Sequence, residues 1–269
     1  MPRESWVRRA RLGAQHSGRM TWTHGQWIRD KGPQVAVLVG ILLIVLGAAG
    51  FVGVLDSVQE ADDLATLDQP VLEGLAAGRS DVLTVIMTLI TTVSGPTILP
   101  VLVLLGCLAW GYVGKQWWQA GILATAMVVS TVVSVAIKAI VARPRPPVDT
   151  MTVAGVETTY SFPSGHTIGT ATLLLVVGYL AWIRRPAIRS LLLWLLLIVL
   201  GVLVVALSRL YLGYHFVTDV TASVALAVAV LGAVVVIDRR RAVRAARVTA
   251  ARAREAVGEE PQPPPSLTG

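Results

Sequence analysis

Three side chains that could act together on a phosphate group lie in one short stretch of the chain. Arg209 stands at the end of an apolar run, and His215 and Asp219 open the next one. Because four residues separate the histidine from the aspartate, both side chains would share one face of a helix. The carboxylate could then hold one imidazole nitrogen while the other nitrogen faces a substrate. We interpret this stretch as half of an active site.

The other half is expected upstream, in two short segments that border apolar runs. Lys138 lies near the end of one run, and Arg145 follows it by seven residues. Ser164-Gly165-His166 stands before another run, where the N–H groups and the positive end of a helix would favour a phosphate. Simpler roles also exist for both segments: Lys138 could extend to the membrane interface, and Ser164 could be a helix N-cap.

Taken together and in this order, the three segments resemble the signature motifs of the type 2 phosphatidic acid phosphatase family. The resemblance covers roughly residues 97–237. It implies that His215 is the nucleophile, that Asp219 orients it and that His166 is the general acid. It also assigns five residues to phosphate binding: Lys138, Arg145, Ser164, Gly165 and Arg209.

The resemblance further implies a hydrolase that uses neither a metal nor a cofactor. The sequence contains no His-Glu-x-x-His pattern and no Walker loop. Cations around the phosphate could supply the charge that a metal supplies in other phosphatases. Arg143 lies between the motif positions, and we interpret it only as an anchor for lipid head groups.

The composition is typical of a membrane protein. Of the 269 residues, 54% are hydrophobic and 14% are charged, and the mean hydropathy is +0.68. The net charge of +7 does not indicate a nucleic-acid partner, because the basic residues crowd the termini and short loops. The single cysteine, Cys107, lies in an apolar run and excludes a disulfide framework.

The sequence predicts an all-α fold with six membrane-spanning helices, since each of six apolar runs approaches the length that a bilayer requires. The predicted spans are Val35–Leu55, Thr97–Val113, Ala120–Val141, Thr167–Ile183, Ser190–Leu207 and Val217–Ile237. Between the first two, Val71–Gly78 is typical of an interfacial helix. Val82–Val93 is too short to span, and we expect a partly buried helix that breaks at Gly95-Pro96.

The distribution of charge predicts the orientation. With an inside N-terminus, eighteen Lys and Arg residues fall on the cytoplasmic side and only Arg79, Arg143 and Arg145 in outer loops. We therefore expect a plasma-membrane protein with both termini in the cytoplasm and the site facing outside. Residues 1–34 are interpreted as a basic cytoplasmic segment, 35–237 as the membrane domain, and 238–269 as a basic, then proline-rich and partly disordered tail.

The expected function is hydrolysis of a phosphomonoester or diphosphate on a lipid in the outer leaflet, with undecaprenyl diphosphate as the favoured substrate. Phosphatidylglycerol phosphate, phosphatidic acid and diacylglycerol diphosphate are alternatives within the family. A haloperoxidase is disfavoured because the enzymes that share this pocket are soluble. A non-catalytic protein that binds or transports lipid phosphates is disfavoured because binding alone would require only the cations. The sequence leaves the oligomeric state open.

Overall fold

Every regular element in the described part of the chain is helical, which confirms the predicted all-α fold. The computed structural model describes residues 32–153 and 157–257. Within them are eight α-helices: α1 (Gly32–Glu60), α2 (Asp68–Ala77), α3 (Asp81–Val93), α4 (Ile98–Tyr112), α5 (Trp117–Val141), α6 (Gly165–Trp182), α7 (Ile188–Tyr211) and α8 (Val217–Val257). The predicted segments before residue 32 and after residue 257 lie outside the described residues.

Five of these helices, α1, α5, α6, α7 and α8, are long and apolar enough to cross a membrane. The count is six if α3 and α4 are taken as one crossing; they reach that length only together and are bent by 50° at their junction. The break occurs at the predicted Gly95-Pro96. The expected second span, Thr97–Val113, is thus a helix of 15 residues, Ile98–Tyr112.

Contacts at their ends show how α3 and α4 differ. The N–H of Ser80 donates to the Tyr211 hydroxyl at 2.8 Å, and Arg209 donates to Thr91 Oγ1 at 2.6 Å. Both partners belong to the last turn of α7, so α3 lies across the end of that helix. Trp110, near the far end of α4, lies 5.2 Å from the Arg184 guanidinium in the loop after α6. α4 therefore extends from its break with α3 to the loop after α6.

Glycines allow α1 and α8 to pack closely. A Cβ added at Gly40 would lie 2.9 Å from the Gly232 carbonyl oxygen, and one at Gly47 would lie 2.5 Å from the Ala229 nitrogen. Within a bilayer, small residues promote helix association because they let two backbones approach. These contacts fix the first helix against the last.

The last helix is longer than its predicted span. α8 has 41 residues and continues through the predicted start of the tail to Val257. Asp238 accepts hydrogen bonds from Trp118 Nε1 at 2.8 Å and from the Tyr179 hydroxyl at 2.9 Å. Asp238 therefore ties α8 to α5 and α6 at the end of the bundle that lies opposite the candidate site.

Candidate active site

Four helix ends meet at one end of the bundle: the last turns of α5 and α7 and the first turns of α6 and α8. A cavity of about 390 Å³ lies at this end, and it is lined by the junction of α3 and α4, by α5, by the start of α6 and by the loops that carry Arg145 and His215. Five of the eight predicted site residues line this cavity: Lys138, Arg145, Gly165, His166 and His215. The other three, Ser164, Arg209 and Asp219, are buried behind its wall. Residues up to 81 positions apart in the sequence thus converge on one site.

The chain leaves α5 abruptly and so presents its two arginines beside the cavity. Ala142 adopts a left-handed conformation with φ 49°, and its N–H donates to the Lys138 carbonyl at 3.0 Å. The prolines at 144 and 146 then disfavour helical geometry at Arg143 and Arg145. The helix therefore ends before the second cation of the motif.

His215 and Asp219 contact each other as predicted, although the histidine lies outside the helix. α8 begins at Val217, so the expectation that one helix carries both residues is wrong. Asp219, in the first turn, accepts from the Phe216 N–H at 2.9 Å, which is the reach of an N3 carboxylate in a capping box. The same oxygen, Oδ2, lies 3.1 Å from His215 Nδ1. Helix capping thus orients the carboxylate towards the imidazole.

The other imidazole nitrogen faces the cavity. His215 Nε2 lies 3.4 Å from Arg145 Nη1, and the whole side chain is almost fully buried. Burial lowers the pKa of His215 to about 4, and the attraction of Asp219, which raises it, compensates only in part. The imidazole is consequently neutral at physiological pH, with an unprotonated nitrogen available on the cavity side.

Two buried arginines share one carboxylate at the cavity. Arg145 Nη2 donates to Glu157 Oε2 at 2.9 Å, and Arg209 Nη2 donates to Glu157 Oε1. Burial would raise the pKa of Glu157, but the charges of Arg209 and Arg145 outweigh burial and hold this pKa below its usual value. Glu157 is therefore ionised. Nothing in the sequence pattern assigns Glu157 to the site.

The first turn of α6 contributes His166 and an open glycine. A Cβ at Gly165 would meet no atom within 4 Å, whereas one at Gly95 would lie 3.4 Å from His166 Nε2. The histidine thus sits against the break between α3 and α4. Ser164 is fully buried, and its Oγ accepts from the Thr167 hydroxyl at 3.1 Å and caps the helix. Its alternative role as an N-cap is the one observed, and its contact with phosphate stays a prediction.

Lys138 and Arg209 approach the site differently. Lys138 lines the cavity, and its ammonium group donates to the carbonyl oxygens of Tyr160 and Ser161. Arg209 is 1% exposed and lies over the Tyr214 ring at 4.7 Å. Its Nε has no hydrogen-bond partner among the described residues. Arg209 thus has an unused donor.

Arg143 is part of the site, contrary to its interpretation as a lipid anchor. Its guanidinium donates to Asp219 Oδ1 at 2.8 Å and to Asp68 Oδ2 at 2.7 Å. Asp68 and Asp219 are 151 positions apart, so no local pattern could have revealed the contact. The only signal in the sequence was an arginine in a loop where the positive-inside rule disfavours it.

The described residues contain no group of three or more His, Cys, Asp or Glu side chains that could hold a metal ion. The groups that could neutralise an anion at the cavity are instead the three cations Lys138, Arg145 and Arg209. Opposite them are only the ionised Glu157 and two histidines. This part of the chain is therefore suited to bind a multiply charged anion next to an imidazole nitrogen.

Comparisons with known proteins agree with this geometry. A sequence model of the PAP2 superfamily matches residues 119–242, which include most of α5, all of α6 and α7, and every predicted site residue. Phosphatidylglycerophosphatase B of Bacillus subtilis is 39% identical over 66 residues, which are 24% of this chain. The match spans about a third, 32%, of that relative's length.

Two solved structures resemble the fold. One is the transmembrane PAP2-type phosphatidylglycerolphosphate phosphatase from Bacillus subtilis, with a TM-score of 0.59 and 23% identity over 77% of this chain and 96% of that one. The other, Aquifex aeolicus LpxE, has a TM-score of 0.48 and 18% identity over 63% of this chain and 94% of that one. The segment that matches the PAP2 superfamily model contains every predicted site residue, and the fold resembles that of a transmembrane PAP2 protein.

Proposed function

We propose that the protein hydrolyses a phosphomonoester or a diphosphate on a membrane lipid through a phosphohistidine at His215. One observation carries the proposal: the buried imidazole directs Nδ1 to the Asp219 carboxylate at 3.1 Å and Nε2 into the cavity. An imidazole held in this way is the neutral Nδ1–H tautomer, whose Nε2 lone pair is free to attack. A protein that merely bound phosphate would not require this arrangement.

The first step forms a bond between Nε2 and phosphorus and breaks the bond between phosphorus and the leaving oxygen. His166, on the same cavity wall, donates a proton to that oxygen. Asp219 stabilises the positive charge that develops on His215. Water then attacks phosphorus and gives a proton to His166, the bond between phosphorus and Nε2 breaks, and inorganic phosphate leaves the regenerated neutral His215.

The cations supply electrostatic stabilisation of the phosphoryl group. Arg145 already lies 3.4 Å from Nε2, and Arg209 lies behind Glu157 with an unpartnered Nε. Lys138, which also lines the cavity, adds a compact charge. Charges fixed before the reaction stabilise the equatorial oxygens in the transition state without reorganisation. Ser164 and Gly165 add the N-terminus of α6 to this phosphate site.

A lipid substrate is supported by the cavity wall. Leu99, Met127 and Val135 extend the lining along α4 and α5, both of which have exposed apolar surface. The names of the two Bacillus subtilis relatives suggest phosphatidylglycerol phosphate, whereas the predicted outer position favours undecaprenyl diphosphate. Phosphatidic acid is a further candidate. The site is compatible with each of these head groups.

The outer orientation of the site is part of the proposal. If α3 and α4 together form one crossing, the protein has six crossings, and both termini lie on one side of the membrane. The excess of Lys and Arg in the terminal and alternate loops assigns that side to the cytoplasm. A cysteine at position 157 should react with an impermeant reagent from outside, and reaction only from the cytoplasm would contradict this orientation.

The decisive experiment assays purified protein against a panel of phosphatidylglycerol phosphate, phosphatidic acid and undecaprenyl diphosphate. We expect phosphate release to persist in chelator and to be blocked by vanadate, which mimics the phosphoryl transition state. His215→Ala is the control for contaminating phosphatase. Activity that requires added magnesium would refute the mechanism, and binding without turnover of any substrate would favour the non-catalytic alternative.

A further inference from the structure

Arg143 connects two carboxylates behind the candidate nucleophile. Its Nη1 donates to Asp219 Oδ1 at 2.8 Å and to Thr218 Oγ1 at 2.6 Å, and its Nη2 donates to Asp68 Oδ2 at 2.7 Å. The guanidinium also stacks on Phe216, 4.4 Å from the ring centroid. Arg143 does not line the cavity that contains both histidines. It therefore contacts the reaction site only through Asp219.

Arg143 supplies the hydrogen-bond partner for the second carboxylate oxygen of Asp219. Oδ2 accepts from His215 Nδ1, from the Phe216 N–H and from the Ser161 hydroxyl. Among the described residues, the only partner of Oδ1 is Arg143. Since Asp219 is fully buried, water cannot replace a lost partner there. Two oxygens held from different directions also fix the rotation of the carboxylate and hence the direction of its bond to His215.

Asp68 in turn holds Arg143 and the start of α8. It is 5% exposed at the first residue of α2, and it accepts from the Thr218 N–H at 2.9 Å and from the Thr218 hydroxyl at 2.6 Å. The first N–H groups of a helix lack partners within it, and the positive end of the helix favours a carboxylate. A residue outside the matched family segment thus caps the helix that carries Asp219.

We propose that Asp68 and Arg143 are positioning residues for His215 and that they act through Asp219. The inference rests on the proposed role of His215 as nucleophile. It adds a layer of residues that the three motifs do not contain, one of them from the helix between the first two spans. Because neither residue touches the substrate, their loss should lower kcat and leave KM nearly unchanged.

The charge of each residue gives a test that a purely structural role would not pass. Arg145, Arg209, Lys138, Glu157 and His166 face His215 from the cavity side, and these groups stay in place in the variants described below. Only the rear charges change. His215 and Asp219 share protons as a coupled pair, so the test follows the apparent pKa of the pair.

The experiment compares Arg143→Gln with Asp68→Asn in the full-length protein. Arg143→Gln removes a cation beside the pair and should raise its apparent pKa. The acidic limb of the pH profile of kcat/KM should therefore move to higher pH. Asp68→Asn removes an anion and should move the limb to lower pH. We expect kcat to fall by about 10- to 100-fold in both variants, as is typical when an outer hydrogen-bond partner of an oriented side chain is lost. All variants are assayed with the same substrate, so the ionisation of the substrate contributes equally to each pH profile and does not affect the differences between them.

Two further variants serve as controls. Arg143→Lys keeps the charge but cannot bridge both carboxylates, so its limb should stay close to wild type while kcat recovers only in part. Arg79→Gln removes another arginine of the same region, one that donates to the backbone carbonyls of Tyr211 and Thr150. It should lower thermal stability and leave the limb unmoved.

Limbs that do not move, or that move in the same direction for Arg143→Gln and Asp68→Asn, would overturn the proposal. If wild-type protein hydrolyses no lipid phosphate, the proposed function fails by itself. The positioning role can still be tested in that case, because NMR of ¹⁵N-labelled histidine follows the titration of His215 without turnover. Opposite shifts of that titration in the two variants would support the role, and equal titrations would refute it.

Discussion

The two sides of His215 differ in how their charges are balanced. On the cavity side, Lys138, Arg145 and Arg209 face the single carboxylate Glu157, which leaves a positive excess. On the rear side, Arg143 is the single cation that Asp68 and Asp219 face among the described residues, which leaves a negative excess. Each side therefore lacks one charged partner in the substrate-free protein. A phosphate dianion would complete the cavity side, and a positively charged imidazole would complete the rear side.

The difference indicates when each side contributes. The cavity side gains its missing charge when substrate binds, so its residues should affect binding and the transition state alike. The rear side gains its missing charge only when His215 becomes cationic, that is, during phosphoryl transfer. Rear residues should consequently affect kcat more than KM.

The largest effect is expected at the residue that the two sides share. His215→Ala removes the nitrogen that would form the covalent intermediate, so turnover should fall to background for every lipid phosphate. The cavity cations remain, and vanadate should still bind. Calorimetric titration of the variant with vanadate checks this. Residual turnover well above background would exclude a phosphohistidine.

A smaller loss is expected when only the rear side is weakened. Asp219→Asn keeps the shape of the side chain and removes the charge that stabilises the imidazolium. Turnover should drop by about 10²- to 10⁴-fold, by analogy with serine triads, in which neutralising the carboxylate costs about 10⁴-fold. KM should change little. A steady-state comparison with wild type would contradict the separation of the two sides if KM rose as strongly as kcat fell.

The sequence predicted most residues on the cavity side of His215 but, apart from Asp219, none of the contacts on the rear side. Lys138, Arg145, His166, Arg209 and His215 converge because each lies at the end of an apolar run, and run ends can be read from hydropathy. The five helices that are long enough to cross a membrane followed from the same signal. The exception was the second crossing, where the run is split by Gly95-Pro96 and α3 packs across α7.

The rear side was not predictable because its contacts are set by tertiary packing. Asp68 reaches Arg143 across 75 positions and Thr218 across 150. In the sequence it is one of several acidic residues between α1 and α3, and nothing distinguishes it from Asp62 or Asp63. Glu157 was missed for the same reason, because its contacts with Arg145 and Arg209 also depend on tertiary packing. Without knowing how α2 packs on the end of α7, no periodicity identifies which carboxylate becomes buried.

Next in size is an effect at the cavity side that depends on the leaving group. His166→Ala should reduce hydrolysis of an alkyl phosphomonoester by about 10²-fold or more, because a poor leaving group requires a proton. The loss should be smaller for an aryl phosphate or a diphosphate. Arg209→Ala provides the matched comparison, since it weakens the grip on the phosphoryl group and should depress all substrates by similar factors. Equal losses for His166→Ala across leaving groups would assign it to phosphate binding.

The smallest effect concerns protonation of His215 itself. Its pKa of about 4 arises because burial opposes the imidazolium more than Asp219 favours it. His215 should therefore stay neutral from about pH 8 to pH 5.5 and gain a proton only as the pH falls towards 4, so the nucleophile is lost in acid and not in base. The chain has four histidines, and His215→Ala assigns the signal of interest in spectra of ¹⁵N-labelled histidine. A ring that titrates near pH 6.5 would mean that the rear negative charge prevails over burial in the free protein. The rear side would then already be complete before substrate binds, and the contrast between the two sides would disappear.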